Sequence, residues 1–168
     1  MEDMEKKDLT LDVLATSIRQ LHGQLSDSAR HAVNVALTLR NWLIGCYIAE
    51  YELHGADRAT YGEKIVSSLA QRLTDLSNCS RQELYRYISF YRLYPQIVGT
   101  VYRQFPEVLM QHSSSSIVGA VYRQLNSQGD ATSVRGDIIM HLSYNHFLLL
   151  LQVEDATARQ FYETECLG

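Results

Sequence analysis

Residues 59–95 read ATYGEKIVSSLAQRLTDLSNCSRQELYRYISFYRLYP, and this stretch decides the fold. Thr60 stands where a helix N-cap would, with Glu63 three residues on, the spacing of a capping box. Ile65, Val66, Leu69, Leu73 and Leu76 then recur at threes and fours, the expected buried face of a first helix. Ser77-Asn78-Cys79 is a short polar break. Ser80 and Glu83 repeat the capping pattern, and Leu84, Tyr87, Ile88, Tyr91 and Leu93 give the apolar side of a second helix. That helix should stop near Tyr94-Pro95, because the residue before a proline is pushed out of the helical region. Two capped helices across a tight break form the pattern of a helix-turn-helix.

The second helix has an informative outer side. At about 100° per residue, Gln82, Arg86 and Ser89 fall opposite the apolar residues, with Arg81 and Arg92 flanking and Tyr85 between them. Arginine and glutamine reach guanine and adenine edges or phosphates, so Arg81, Gln82, Tyr85, Arg86, Ser89 and Arg92 are the candidate nucleic-acid-binding residues. Charge is distributed to match. From Arg58 to Arg103 there are seven basic residues against three acidic ones, a balance of +4, whereas from Asp137 to the end one basic residue faces five acidic ones, a balance of −4. A basic half and an acidic end suit a surface for a polyanion. The whole chain carries −4, which argues against a polybasic, non-specific binder.

Upstream, residues 1–8 read as a flexible acidic lead-in, and residues 9–168 as one all-helical domain. Leu11, Leu14, Ile18, Leu21 and Leu25 keep a helical period, with a break or bend expected at Gly23 and a new start at Ser26 or Ser28. A long helix follows, with the stripe Val33, Leu37, Ile44, Tyr47, Ile48 and Tyr51, ending near His54-Gly55. A stripe of that length exceeds what a compact hairpin covers, which leads us to expect a homodimer formed through the long helix and the C-terminal pair. Downstream, Val98-Gly99-Thr100-Val101-Tyr102-Arg103-Gln104 and Val118-Gly119-Ala120-Val121-Tyr122-Arg123-Gln124 are near copies. Two copies are too few for a solenoid and fit chance or a local duplication. Ser143 should start a helix through Gln152, and a last helix runs from about Ala156 to Cys166. No stretch alternates convincingly as a strand, so the fold class is all-α: a multi-helix domain with one long helix and a helix-turn-helix-like pair.

Chemistry is sparse. Cys46, Cys79 and Cys166 are odd in number and widely spaced, without a Cys-x-x-Cys, so neither a disulfide framework nor a zinc ribbon is supported. With no apolar signal region at the N-terminus, the chain reads as soluble and cytoplasmic. Serines lack nucleophile-elbow glycines, and no phosphate-cradling glycine loop is present. Asp137, His141 and Cys166 are a weak metal combination, and His146 reads as a core or helix-start histidine. Pro106-Glu107 looks like half of a metal-nuclease signature, but no Asp/Glu-x-Lys follows. Elsewhere only Glu5-Lys6, Glu5-Lys7 and Glu63-Lys64 even loosely offer a glutamate near a lysine. The reading is of a non-enzyme without cofactor or metal.

Three separated blocks nevertheless carry a resemblance. The first is Asn41-Trp42-x-Ile44-Gly45-x-x-Ile48. The second is Tyr61-Gly62-x-x-Ile65, Leu69-x-x-x-Leu73, Cys79-Ser80-Arg81-x-x-Leu84-Tyr85-Arg86, Phe90-Tyr91 and Tyr94-Pro95. The third is Leu142-Ser143-Tyr144-x-His146-Phe147-x-x-Leu150-Leu151, with Asp155, Ala158-Arg159 and Phe161-Tyr162-x-x-Glu165. In this order they resemble the N-terminal domain of the YhcG family from about residue 12 onward. That resemblance implies a helix-turn-helix-like domain preceding a PD-(D/E)xK nuclease domain. The family's Trp-Ser-x-Arg-Glu-Leu block would come just after Cys166-Leu167-Gly168, so what is implied is a targeting module without its nuclease. Tyr87-Ile88-Ser89 stands where members often carry Met-Arg-Gln, one basic residue fewer on the reading helix. The function so implied is binding of nucleic acid, duplex DNA above all, for a nuclease in cis or in trans. The alternative is a helical dimerisation or adaptor module that binds protein partners and positions the nuclease.

Overall fold

The computed structural model describes residues 10–54, 64–106, 115–127 and 134–167. Seven α-helices are described: α1 (Leu11–His54), α2 (Ile65–Arg72), α3 (Arg81–Leu93), α4 (Ile97–Gln104), α5 (Ser115–Ser127), α6 (Tyr144–Leu150) and α7 (Ala156–Leu167), with a 3-10 segment at Val134–Met140. No strand occurs among the described residues, so the all-α expectation holds. The chain forms two compact units, residues 1–34 and 35–168.

In the first unit, residues 11–34 are continuous helix. The expected break at Gly23 and restart at Ser26 or Ser28 do not occur. A Cβ on Gly23 would meet nothing within 4 Å, so this glycine answers no packing or turn requirement, and the helix absorbs its propensity cost of about 1 kcal/mol. Thr10 opens the helix, its hydroxyl accepting from the Val13 amide at 3.3 Å.

In the second unit, the core is built where the rest of α1 meets α3. Trp42, Cys46, Leu84, Tyr87, Ile88, Phe90 and Tyr94 are buried, as are Phe147 from α6 and Ile97, Val98 and Val101 from α4. The Trp42 indole N–H donates to the Tyr94 carbonyl at 2.9 Å. At Gly45 the two helices cross so closely that an added Cβ would lie 1.9 Å from the Tyr87 carbonyl oxygen. Buried residues on α1 are Val35, Thr38, Leu39, Asn41, Trp42, Leu43, Gly45, Cys46, Ile48 and Ala49. The stripe expected from Val33 to Tyr51 is therefore corrected. Ile48 belongs to the core and Ile44 and Tyr47 pack against it, whereas Val33, Leu37 and Tyr51 are exposed. Counting large aliphatics misplaced the face because small and polar residues occupy much of it. Length and composition alone would let α1 cross a membrane, but 56% of its most apolar window is buried inside the protein, where the core takes up that apolar surface.

α2 packs on α3, α3 on α6, α6 on α7, and α4 on both α5 and the 3-10 segment. On α2, Ile65 and Val66 are buried and Leu69 and Leu73 partly so, but Leu76 is 51% exposed, lying beyond the end of the helix. The expected cap at Thr60 and Glu63 lies outside the described residues. The duplicated words face each other. Val98, Val101, Val118 and Val121 are all buried, and the Tyr102 and Tyr122 rings stack with centroids 4.1 Å apart. Gly119 makes room for this, since a Cβ there would come within 3.0 Å of the Tyr102 hydroxyl. Asp155 caps α7, accepting from the amides of Thr157 at 2.7 Å and Ala158 at 3.1 Å.

Candidate nucleic-acid interface

The helix α3 begins as its sequence demands. Ser80 is extended at φ −63°, ψ 157°, and its hydroxyl accepts from the Glu83 amide at 3.3 Å. The other half of the expected capping box is replaced, because the Glu83 carboxylate pairs with Arg86 instead. Tyr94 ends the helix ahead of Pro95. Between α2 and α3 lie residues 73–80, a longer connection than the three or four residues of a tight helix-turn-helix turn. Asn78 sits at φ 60°, a left-handed conformation that asparagine tolerates better than most residues. Its carbonyl accepts from the Tyr87 hydroxyl at 2.8 Å, which ties the connection to the middle of α3.

All six sequence-predicted site residues are exposed: Arg81, Gln82, Tyr85, Arg86, Ser89 and Arg92. They share the outer side of α3, while Leu84, Tyr87, Ile88, Phe90 and Tyr91 are buried behind them. Arg81 lies over the Tyr85 ring, 5.7 Å from its centroid, a cation–π pair that holds the guanidinium against an amphipathic platform. The Ser89 hydroxyl donates back to the Tyr85 carbonyl at 3.0 Å. Arg86 pairs with Glu83, and Arg92 reaches Glu52 on α1 at 3.1 Å. Arg81 makes no ion pair among the described residues. Two of the three arginines thus start with a carboxylate beside them, which a polyanion would have to displace. These exposed pairs are weak, so the displacement costs on the order of 1 kcal/mol or less each.

Sequence reasoning missed the supports behind this face. The Tyr91 hydroxyl donates to Glu50 at 2.7 Å and the Tyr94 hydroxyl to Glu163 at 2.7 Å, tying α3 to α1 and α7. Burial, and then the acceptor carboxylate, push both phenols far above their ordinary value, so they remain donors at any physiological pH. Partners 41 and 69 residues away leave no local signal in a sequence.

The other candidates do not assemble. Asp137 accepts from Thr100 at 2.8 Å and Arg103 at 2.7 Å. Burial pushes its carboxyl up, but these two donors outweigh it and hold it below the usual value. The His146 ring accepts from the Ser143 amide at 3.1 Å through Nδ1, which is the helix-start role expected of it. Among the described residues no group of three His, Cys, Asp or Glu side chains could hold a metal ion. Cys46 is buried and its thiol is pushed up to about 12, first by burial and then by the Glu50 charge, which leaves it inert as a nucleophile. Glu5, Glu63 and Glu107 lie outside the described residues. A cavity of about 400 Å³ in the second unit is lined by Tyr47, Ile48, Tyr51, Ile65, Ser68, Leu69, Arg72 and Ile117. These offer no carboxylate or histidine for acid–base work.

The family model described as the DUF1016 N-terminal domain matches residues 17–168. No curated protein and no solved structure matches.

Proposed function

Because the chain belongs to the DUF1016 N-terminal domain family, the YhcG-type non-catalytic domain that precedes PD-(D/E)xK nucleases, we propose that it binds duplex DNA and targets such a nuclease to it. The observation that carries this reading is the outer side of α3, where Arg81, Gln82, Tyr85, Arg86, Ser89 and Arg92 are exposed together. An exposed helix face bearing arginine, glutamine and a small hydroxyl is the chemistry that enters a major groove. The nuclease acts in cis or in trans, and the domain supplies position rather than catalysis. A homodimer would present two α3 faces to two half-sites. The reading places the protein in the cytoplasm, where DNA and free thiols coexist.

A second reading is a protein-binding adaptor that only positions the nuclease. The ion pairs of Arg86 with Glu83 and Arg92 with Glu52 favour it, since they reduce the free positive charge on the face. Titration of a labelled duplex at two salt concentrations separates the two. For the DNA reader, affinity falls steeply with salt, and Arg81→Ala/Arg86→Ala lowers the slope by about 0.9 for each phosphate that is no longer neutralised. If the folded double variant binds duplex as tightly as the parent at both salts, the DNA reading of α3 is wrong. The purified chain is expected not to cut DNA or RNA with Mg²⁺; cleavage abolished by a point change within it would contradict the targeting role.

A further inference from the structure

Residues 11–25 carry an uninterrupted heptad whose core positions are exposed among the described residues. Leu11, Ile18 and Leu25 take the first core position and Leu14 and Leu21 the second. They are 82%, 57%, 62%, 42% and 57% exposed respectively. No residue from 11 to 34 is buried, so burial within the chain does not account for the stability of this helical unit. Helices held by their own propensity alone are marginal in water, and most depend on burying an apolar face. Five large aliphatics at spacings of three and four along one side instead have the spacing of a two-stranded coiled-coil seam.

We infer that this seam is where two copies of the chain pair. It deepens the homodimer of the proposed function and rests on that reading only in taking two copies. Self-pairing is favoured by what flanks the seam. The adjoining positions hold Ala15, Ser17, His22 and Gln24, so two like helices meet without repulsion between permanent charges. The charged residues Asp12, Arg19, Asp27 and Arg30 fall on the other positions, where Arg30 already pairs with Asp27 at 2.8 Å. A partner chosen by charge would find no counterpart beside the leucines, whereas a second identical row of knobs fits the holes of the first. The area suffices: five largely exposed aliphatics per copy, with their flanks, bury on the order of 1,000 Å² between two chains, the threshold for a specific pair. Gly23 lies on the far side of the helix from the seam and does not interrupt it.

Sedimentation of the chain alone, without DNA, tests this. The expected result is a species of twice the chain mass at micromolar concentration. Ile18→Glu/Leu21→Glu should weaken the pair by about a hundredfold or more, while the emission of the buried Trp42 stays unchanged because both positions are on the surface. Val33→Ser/Leu37→Ser, at exposed α1 positions of the stripe that sequence reading favoured, should leave the pair intact. High salt should leave it intact too, since the seam carries no ion pair. A monomeric parent, a higher oligomer, a dimer indifferent to Ile18→Glu/Leu21→Glu, or one abolished by Val33→Ser/Leu37→Ser would each overturn the assignment. Because the readout is mass, a monomer that still binds duplex would remove the seam and leave the DNA reading standing.

Discussion

A methyl group on Gly45 would have to occupy the space already filled by the Tyr87 carbonyl. Both clashing partners are helical backbone, which cannot rotate away as a side chain would. Gly45→Ala is therefore expected to lower stability by about 3 kcal/mol or more, seen as a lower urea midpoint. A variant within about 1 kcal/mol of the parent would mean that α1 and α3 can slide apart. The opposite sign is expected at Tyr144, whose buried hydroxyl has no hydrogen-bond partner among the described residues. Tyr144→Phe removes an unsatisfied group and should be neutral or stabilising by up to about 1 kcal/mol in thermal melts. Both residues belong to the motifs Trp42-x-Ile44-Gly45 and Ser143-Tyr144, which were visible as words in the sequence. Their reasons were not, because a backbone crossing and an orphaned hydroxyl depend on partners far along the chain.

Among the helices, α3 was the most legible, since its cap, its apolar side and its proline stop are all local signals. Ser80→Ala should cost about 1 kcal/mol by removing the N-cap, measured by denaturant unfolding. The exposed sides of Arg81 through Arg92 followed from the same helical period. What did not follow was the ion pairing of Arg92 with Glu52, 40 residues away. The continuity of α1 was misread because Gly23 and Ser26 look like punctuation, yet a surface glycine in a long helix is only a modest penalty. The polar tie between α4 and the 3-10 segment was invisible for a different reason: beside the buried Val98, Val101, Ile138 and Ile139, it uses one buried hydroxyl. Thr100 is fully buried and donates to Asp137. Asp137→Ala should take away the acceptor for that buried hydroxyl's proton, leaving it only the long 3.4 Å bond it accepts from Arg103, and destabilise the protein by about 1–3 kcal/mol, whereas Arg103→Ala, removing a half-exposed partner of the same carboxylate, should cost less.

For the molecule as a whole, the buried acids set the alkaline limit. Cys46 is raised from 9.0 to about 12, and Tyr91 and Tyr94 are raised from 10.0, in each case first by burial. Raised folded-state values mean that the stabilisation is complete below the unfolded values and fades as pH climbs toward the folded ones. Stability should therefore be flat from about pH 7 to 9 and then fall by about 1.4 kcal/mol per pH unit for each group that ionises only on unfolding. Melting temperatures at about pH 7, 9 and 11 check this, and a curve that stays flat to about pH 11 would contradict the burial of these groups. The duplicated words have a consequence for how the chain finds this state. They differ at one position only, Thr100 against Ala120, and both helices present the same valines and tyrosine to each other. Either helix could dock where the other belongs, and such a swap would be a competing minimum on the folding landscape. The Thr100 hydroxyl, by choosing Asp137, marks which copy is which. Thr100→Ala makes the words identical, and stopped-flow refolding of that variant should gain a slow phase from molecules that must undock and exchange.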